Sequence, residues 1–442
     1  MVINFDNIQG NIIAGFNTDY QEFLALKRGT DSDIQLIRDW LASLADQITS
    51  TKRVKDERSL IKDPTTTEGI SWLFVALGRD ILNTLCPEAI YTDRAFNFGF
   101  ISRAVSIMRD STKPDDWLVG GPDTDVDILF IIAGNHLDTV RTRTDGVVKA
   151  AETVGLIQSY RELGIRRVGD TEHFGFKDGI SQPKIDFGDE TGGLPPGQFV
   201  FGYKDFDDKV SSAIASGPAE LSVDGSLMVF RRLRQDVQAF RDFCNSEAER
   251  LRSQWPDLKT EHLAALVVGR WPNGELVSAQ VNQPSGIPEP LNDFDFSDDS
   301  RGLNCPFAAH VRKVNPRKGG GDVTKPERRR FLRRGIPFGR PIEEKPDDDR
   351  GLLFVAFQTS IVDQVDFVTK DWMNSRTTPN IGNDLLVGRT VNPETRTLDI
   401  IRDGETFEVV SKENAWVTPN GGVYLFAPSI CGLKFLRKSP DV

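Results

Sequence analysis

Short apolar runs alternate with amphipathic stretches twice along this chain, and this repeated pattern is its strongest constraint on a fold. In the first half, Asp33–Ile48 places apolar side chains at helical spacing, while Ile70–Leu77 and Val126–Gly134 are short β-branched or aromatic runs. Helical spacing predicts a core-facing helix, and the short runs predict strands. A second helix is expected over Leu137–Val154, followed by a returning strand or hairpin over residues 155–167.

The second half has the same content. Strands are expected over Gly225–Leu233, over Gly351–Ile361 and in a last run over residues 421–428, with helices over Gln235–Trp255 and 363–375. Two α+β units therefore follow one another, each with a mainly antiparallel β-sheet and flanking helices.

The tract over residues 186–208 is rich in Gly, Pro and Asp, which are typical of loops. It places the domain boundary between residues 190 and 191, giving domains 1–190 and 191–442. A second irregular tract, Pro272–Lys325, is too long for an ordinary connection and indicates either a disordered or a functional loop.

Composition excludes several classes of function. The 442 residues include 65 acidic and 54 basic ones, a net charge of −11, which argues against binding nucleic acid or an anionic membrane through bulk charge. No apolar run is long enough to span a membrane. The start lacks a basic region followed by a long apolar one, so a cytoplasmic location is expected, although a processed start would allow secretion. The four cysteines are widely spaced and are expected to be reduced thiols.

The chain has only four histidines, so imidazole chemistry has few candidates. None has a second histidine three or four residues away, which argues against a zinc-type cluster. His136, His173 and His262 are expected to be structural, with His262 on the surface of a helix or loop. His310 follows the small residues of Phe-Ala-Ala and precedes cations. Its sequence leaves two interpretations open, an ordinary core histidine or a single axial bond to haem iron.

A haem at His310 would need cations for its two propionates, and Arg312 and Arg317 are nearby in sequence. There is no Cys-x-x-Cys-His motif, so any haem would be held non-covalently. Two other stretches bear on such a site. Asp178 lies in the segment EHFGFKDGISQP, where Asp-Gly also fits a plain turn. In RRRFLRRGIPFG, a strand would direct Arg333 and Arg334 to opposite faces, so at most one could face a buried site.

Three motifs together resemble the dye-decolorizing peroxidases: GFKDG at residues 175–179, AHVRKVNPR at 309–317 and RRGIPFG at 333–339. The resemblance keeps its order from NIQGNI near the start to DWMNS, and the chain length is similar to that of the larger, more active branch of the family. It implies an α+β fold of two ferredoxin-like domains, with haem in the cleft between them and held mainly by the second.

The resemblance also implies roles for individual residues. His310 would be the proximal iron ligand, Asp178 the distal acid and base, Arg333 the distal arginine and Arg317 a propionate-binding residue. Leu352 and Phe354 would lie over the distal haem, where they would narrow access. Asp384 is the candidate acid at the free nitrogen of His310. Trp372 resembles the position of a surface radical relay for donors too bulky to enter, but a Trp on an amphipathic helix is core packing about as often. Phe338 departs from members that have Tyr at that position.

The implied activity is that of a haem peroxidase. It would hold haem b (iron protoporphyrin IX) non-covalently, reduce hydrogen peroxide and oxidise aromatic reducing substrates such as anthraquinone dyes and phenolic compounds. The sequence leaves open whether the protein forms a homo-oligomer. One alternative is a haem carrier or iron-releasing haem protein on the same fold, which would need His310 but not Asp178 with Arg333. The other is a non-haem α+β protein in which all these motifs are structural.

Overall fold

The computed structural model describes residues 2–63, 69–188, 192–286, 292, 294–317, 325–390, 396–411 and 415–438. The strands in these residues are β1 (Tyr20–Arg28), β2 (Trp72–Gly78), β3 (Ile90–Tyr91), β4 (Ile128–Gly134), β5 (Leu156–Ile165), β6 (Ile214–Ser216), β7 (Ser226–Gln235), β8 (Leu332–Arg333), β9 (Ile336–Phe338), β10 (Gly351–Gln358), β11 (Arg396–Arg402), β12 (Glu405–Ser411) and β13 (Val417–Ala427).

The α-helices are α1 (Gly10–Ile13), α2 (Ile34–Leu44), α3 (Thr51–Lys62), α4 (Arg79–Leu85), α5 (Arg94–Phe98), α6 (Phe100–Arg103), α7 (Leu137–Glu152), α8 (Val237–Leu251), α9 (Thr260–Val268), α10 (His310–Val314) and α11 (Ile430–Phe435). Three stretches are π-helical: Ala104–Met108, Val362–Asp366 and Val368–Met373.

Each half of the chain forms a ferredoxin-like unit. In the first, the spatial strand order β2-β4-β1-β5 is antiparallel throughout, with helices connecting β1 to β2 and β4 to β5. In the second, the corresponding order is β13-β7-β10-β9, again antiparallel. The expected α+β fold with mainly antiparallel sheets is confirmed.

The two sheets join into one closed ring of strands. β2 pairs with β13 through Leu77 and Phe426, and β5 pairs with β9 through Gly164 and Phe338. The pairing of β7 with β10 then completes the circle, so the eight strands enclose a barrel. The sequence pattern indicates two sheets but carries no signal for their joining, because the joints are pairings between residues far apart in the chain.

Aromatic side chains from both units fill the barrel. Phe23 stacks on Phe230 with ring centroids 5.3 Å apart, and Phe74 meets Phe357 edge-on at 5.4 Å. All four are buried. Burial of such side chains is the largest favourable contribution to folding, so the interior holds the two units together as one core.

Helices cover the outer face of the first unit. α2 begins at the N-cap Asp33, whose side chain accepts bonds from Gln35 N and Leu36 N at 2.8 and 3.1 Å. Its buried face includes Ile37 and Leu41. Because β2 and β4 lie between this helix layer and the barrel interior, both strands are buried along their whole length. This explains why their sequences are continuous apolar runs.

Some sequence expectations differ from the structure. β1 was not predicted, because its sequence mixes apolar residues with Gln, Glu and Lys. The helix expected over 363–375 is present as two π-helical stretches. The domain boundary expected between residues 190 and 191 lies outside the described residues. The four cysteines are free thiols, as expected: Cys86, Cys244 and Cys305 are buried and Cys431 is exposed.

Candidate active site

A cavity of about 290 Å³ lies against the outer face of β7 and β10. Its remaining walls come mainly from the loop after β5, from α10, from the segment 329–333 and from the π-helical stretch Val368–Met373. Most of the lining residues belong to the second unit, and the loop after β5 is the contribution of the first. The volume is near the lower end of the range for small-molecule sites.

Strand alternation determines which side chains reach the cavity. In β10, Leu353 and Val355 belong to the barrel core, whereas Leu352 and Phe354 point the other way and line the cavity. Leu233 is the register partner of Leu352 on β7 and lines the cavity beside it. The structure therefore places both predicted apolar residues at the site.

Asp178 also lines the cavity, on the loop after β5. Its Oδ1 accepts a bond from Gly179 N at 2.6 Å. Gly175 and Gly179 have φ values of 100° and 78°, which glycine adopts most readily. The same Oδ1 accepts a bond from Arg333 Nη1 at 3.1 Å, while Oδ2 has no partner among the described residues. The turn therefore leaves one carboxylate oxygen available to a ligand.

The neighbouring arginines point in different directions. Arg333 lines the cavity and contacts Asp178. Arg334 instead donates to the carbonyls of Asn11, Ile12 and Ile13 at 2.7 to 3.0 Å, and so ties β8 to α1. The structure thus places Arg333, and not Arg334, at the cavity.

His310 begins α10 and lines the cavity. Its Nδ1 lies 2.8 Å from Oδ2 of Asp384, a buried carboxylate whose Oδ1 accepts from Leu386 N and Val387 N at 3.0 and 3.2 Å. An acceptor at Nδ1 holds the proton there and leaves the Nε2 lone pair free to bind a metal. Nε2 has no hydrogen-bond partner among the described residues.

The other three histidines do not reach the cavity. His136 is the N-cap of α7, and His173 Nε2 lies 2.8 Å from the carbonyl oxygen of Phe338. His262 was expected on the surface, but it is 0% exposed and stacks on Trp271 with ring centroids 5.1 Å apart. Its position between two tryptophans explains this burial. Across the part of the chain that the structure describes, no three His, Cys, Asp or Glu side chains form a metal-binding group.

Four arginines near the cavity form a cationic cluster: Arg270, Arg317, Arg330 and Arg333. Burial, together with repulsion from Arg317 and Arg333, lowers the pKa of Arg330 to about 10. Burial, followed by repulsion from Arg317, likewise lowers the pKa of Arg270 to about 10. An anionic ligand would offset this repulsion. Apolar walls, a lone imidazole and buried cations together fit haem with its two carboxylate groups.

The two arginines that the sequence nominated for the propionates are placed differently: Arg317 belongs to the cationic cluster near the cavity, whereas Arg312 does not. Arg312 is fully buried and bonded to Asp299 Oδ2 and the Cys305 carbonyl, each at 2.7 Å, so its charge is already compensated. Arg317 is not part of the cavity wall; it donates to the carbonyls of Asn292 and Phe294 at 2.6 Å and lies behind Ser181. Arg330, which does line the cavity, was missed because it is one of three consecutive arginines in a run typical of exposed surface.

Trp372 is a core residue and does not lie on the surface, so the packing interpretation of this position holds. It is 1% exposed and packs edge-on against Phe367 with ring centroids 5.4 Å apart. Its helical neighbours Thr369 and Met373 line the cavity, so Trp372 lies behind the cavity wall. Phe338 is also buried, beneath the guanidinium of Arg232 at 4.0 Å.

Sequence reasoning also missed Glu172, which lines the cavity six residues before Asp178. Burial raises the pKa of this carboxyl group to about 6. The sequence signal for Glu172 at a site was an acid next to several Phe and Gly residues, but a Glu-His pair is equally typical of a polar loop.

None of the helices in the described part of the chain has the length and apolar character needed to cross a membrane.

Comparisons with known proteins give one family. Residues 7–164 match the model of the DyP dimeric alpha+beta barrel domain, and residues 203–382 match that of the Dyp-type peroxidase C-terminal domain. A dye-decolorizing peroxidase, msp1, from Mycetinis scorodonius is 27% identical, with 98% of this chain and 87% of that protein covered. A multifunctional dye peroxidase, DyP2, from an Amycolatopsis species is 30% identical over 67% of this chain and 68% of that protein.

Solved structures give the same result. An ancestral D-type dye-decolorizing peroxidase superposes with a TM-score of 0.81 at 28% identity, covering 98% of this chain and 99% of the other. A DyP-type peroxidase from an Anabaena species also gives a TM-score of 0.81, at 26% identity, covering 98% and 94%.

Proposed function

This chain belongs to the dye-decolorizing peroxidases, a haem-dependent family, and we propose that it binds haem b non-covalently, reduces hydrogen peroxide and oxidises bulky aromatic donors. Anthraquinone dyes and phenolic compounds are the expected donors. When bound, haem supplies the iron that takes two oxidising equivalents from peroxide and passes them on singly.

His310 would hold the haem iron through Nε2. Asp384 supports this role because its carboxylate holds the Nδ1 proton and increases the electron density on the imidazole. Arg330 and Arg333 lie where they can compensate negative charge in the cavity, with Arg317 and Arg270 behind or beside them. Leu352 and Phe354 provide an apolar wall that limits the size of what can reach the iron.

Asp178 is the proposed proton carrier. Its free Oδ2 would accept a proton from one oxygen of hydrogen peroxide and pass it to the other, which would leave as water, with haem supplying the two electrons. The guanidinium of Arg333, already bonded to Oδ1, keeps the carboxylate in place and stabilises the negative charge that develops on the peroxide.

The observation that carries this proposal is the pairing of Arg333 with Asp178 in the same cavity as His310. A haem carrier needs the axial imidazole and the cations but has no use for a carboxylate with a free oxygen beside a guanidinium. The pair therefore favours peroxidase chemistry over transport.

The test is reconstitution with haem followed by a peroxide pulse. A Soret band, a rapid absorbance change after the pulse and peroxide-dependent bleaching of an anthraquinone dye are expected. Asp178→Asn should bind haem normally and lose roughly 10²- to 10⁴-fold in the rate with peroxide, the usual contribution of a general acid and base. The absence of haem binding, or an unchanged rate in Asp178→Asn, would contradict the proposal.

A further inference from the structure

The proposed reaction uses one carboxylate of the cavity, Asp178, and leaves a second, Glu172, without a role. Both lie on the loop after β5, and both line the cavity. The two are close enough for the charge of Asp178 to help raise the pKa of Glu172.

The Glu172 carboxylate closes the turn that leads to Asp178. Its Oε2 accepts from Phe174 N and its Oε1 from Phe176 N, both at 2.9 Å. The backbone of the same turn is closed by bonds from Glu172 N to the Phe176 carbonyl and from Gly175 N to the Glu172 carbonyl. Asp178 follows only two residues after Phe176, so the conformation of this turn sets where Asp178 lies.

The same carboxylate ties the turn to the barrel. Gln235, at the end of β7, donates from Nε2 to Oε2 of Glu172. Because β7 is a central strand of the second unit, this bond connects the loop of the first unit to the wall that carries Leu233. Farther along the loop, Lys177 N bonds to the Pro272 carbonyl at 3.1 Å and Asp178 N to the Asp170 carbonyl at 2.8 Å.

An ionised carboxylate suits this position better than its amide. Three N–H donors converge on Glu172, and a carboxylate only accepts hydrogen bonds, whereas an amide has one accepting oxygen and an NH₂ group that would face other donors. Burial raises the pKa of Glu172 to about 6, so the group is largely ionised at neutral pH. The backbone bonds it accepts are thus charge-assisted.

We propose that Glu172 is a positioning residue: its carboxylate anchors the 172–176 turn to β7 and thereby holds Asp178 at the geometry that peroxide requires. This inference rests on the proposed peroxidase function. Displacement of a reacting group by about 1 Å can cost roughly 100-fold in rate. Glu172 therefore acts through Asp178, without itself touching peroxide.

The test compares Glu172→Gln, Glu172→Asp and Gln235→Leu with the wild type. Two measurements are made on each protein: hydrogen exchange of peptides covering residues 172–178 by mass spectrometry, with and without haem, and kcat and KM for hydrogen peroxide. Glu249→Gln is the matched control, because Glu249 is an exposed glutamate on α8 paired with Arg252.

Glu172→Gln is expected to exchange faster at the Phe174 and Phe176 amides and to lose roughly 10- to 100-fold in kcat/KM for peroxide, mostly in kcat, while haem affinity stays within about 3-fold. Glu172→Asp keeps the charge and should show smaller changes than Glu172→Gln in both amide exchange and kcat/KM. Gln235→Leu removes the bond between β7 and Glu172 but leaves the bonds within the turn, and should show the same two effects to a smaller extent. This variant keeps the inference testable if Glu172→Gln folds poorly.

Unchanged exchange and unchanged kcat/KM in Glu172→Gln and Gln235→Leu would overturn the inference. The inference would also be overturned if the loss of activity were fully explained by a lower content of bound haem. A wild type that binds haem but does not react with peroxide would instead refute the proposed function, whereas the exchange data would still report on the turn.

Discussion

Arg333 and Asp178 form an ion pair within the cavity, with Nη1 3.1 Å from Oδ1, although 155 positions separate them in the chain. The next residue, Arg334, does not reach the cavity, because it is bonded to backbone carbonyls near α1. Arg333 thus belongs to the site, whereas Arg334 stabilises the fold.

This separation can be tested by changing each arginine to glutamine. Arg333→Gln should retain wild-type thermal stability and lose roughly 10²-fold in kcat/KM for peroxide, because it removes charge stabilisation at the site. Arg334→Gln should lower the melting temperature, because three carbonyls lose their donor. Equal effects of the two substitutions on peroxide kinetics would contradict the assignment of Arg333.

Asp384→Asn tests the bond to His310. An amide at this position no longer holds the Nδ1 proton as a charged acceptor, so the imidazole becomes a poorer electron donor. Haem affinity should fall roughly 10- to 100-fold, and the reduction potential of the bound iron should rise. Haem titration and potentiometry measure the two effects. An unchanged potential would show that Asp384 serves only to cap residues 386 and 387.

His173 predicts acid sensitivity of the fold. Burial, and then the charge of Arg167, lower its pKa from 6.5 to about 4. Arg167 Nη1 lies 3.2 Å from Nδ1, which fits a neutral ring with its proton on Nε2. Between pH 6.5 and 4 the unfolded state therefore binds more protons than the native state, so this stability is present above pH 6.5 and is lost as the pH falls toward 4. The full effect is about 3 kcal/mol.

The measurement for His173 is urea unfolding of wild type and His173→Gln across this range. Glu172, with its pKa raised to about 6, contributes in the opposite direction. Its effect is common to both proteins, so the difference between them isolates His173. The variant should lose less free energy of unfolding on acidification than the wild type. Parallel pH curves would show that His173 does not titrate as described.

Trp372→Phe tests whether the tryptophan serves in core packing or in electron transfer from the donor. Since Trp372 is 1% exposed, a bulky dye cannot touch its ring directly. Loss of buried volume should lower the free energy of unfolding by about 1 to 3 kcal/mol, with dye oxidation per folded, haem-loaded enzyme changed less than about 2-fold. A large loss with an anthraquinone dye, but not with a small phenol, would support a radical relay through the buried ring.

The sequence was informative where local pattern decides the structure. Most of the strands in the two units, the helix capped by Asp33 and the opposite directions of Arg333 and Arg334 follow from periodicity of two or 3.6 residues. Leu352 and Phe354 reach the cavity for the same reason. The expectation that a metal-binding histidine has an acid at its other ring nitrogen nominated Asp384, and the structure puts it in contact with His310.

The remaining features depend on contacts between distant residues. β1 was missed because its polar residues are buried by partners such as Arg161, which pairs with Glu22 at 2.7 Å. Arg312 could not be distinguished from Arg317 without knowing that Asp299 lies beside it. The structural use of Glu172 likewise depends on Gln235, 63 positions away, whose proximity no local pattern predicts.

Closure of the barrel also limits how the two halves can move. Two-domain enzymes with separate sheets often admit ligands by a hinge motion, but here such a motion would break the pairing of β2 with β13 or of β5 with β9. Each half expressed alone would expose two unpaired strand edges, which promote aggregation. Peroxide and donors would therefore enter past loops and side chains, and the size of the entrance, rather than the opening of a cleft, would determine which donors react directly.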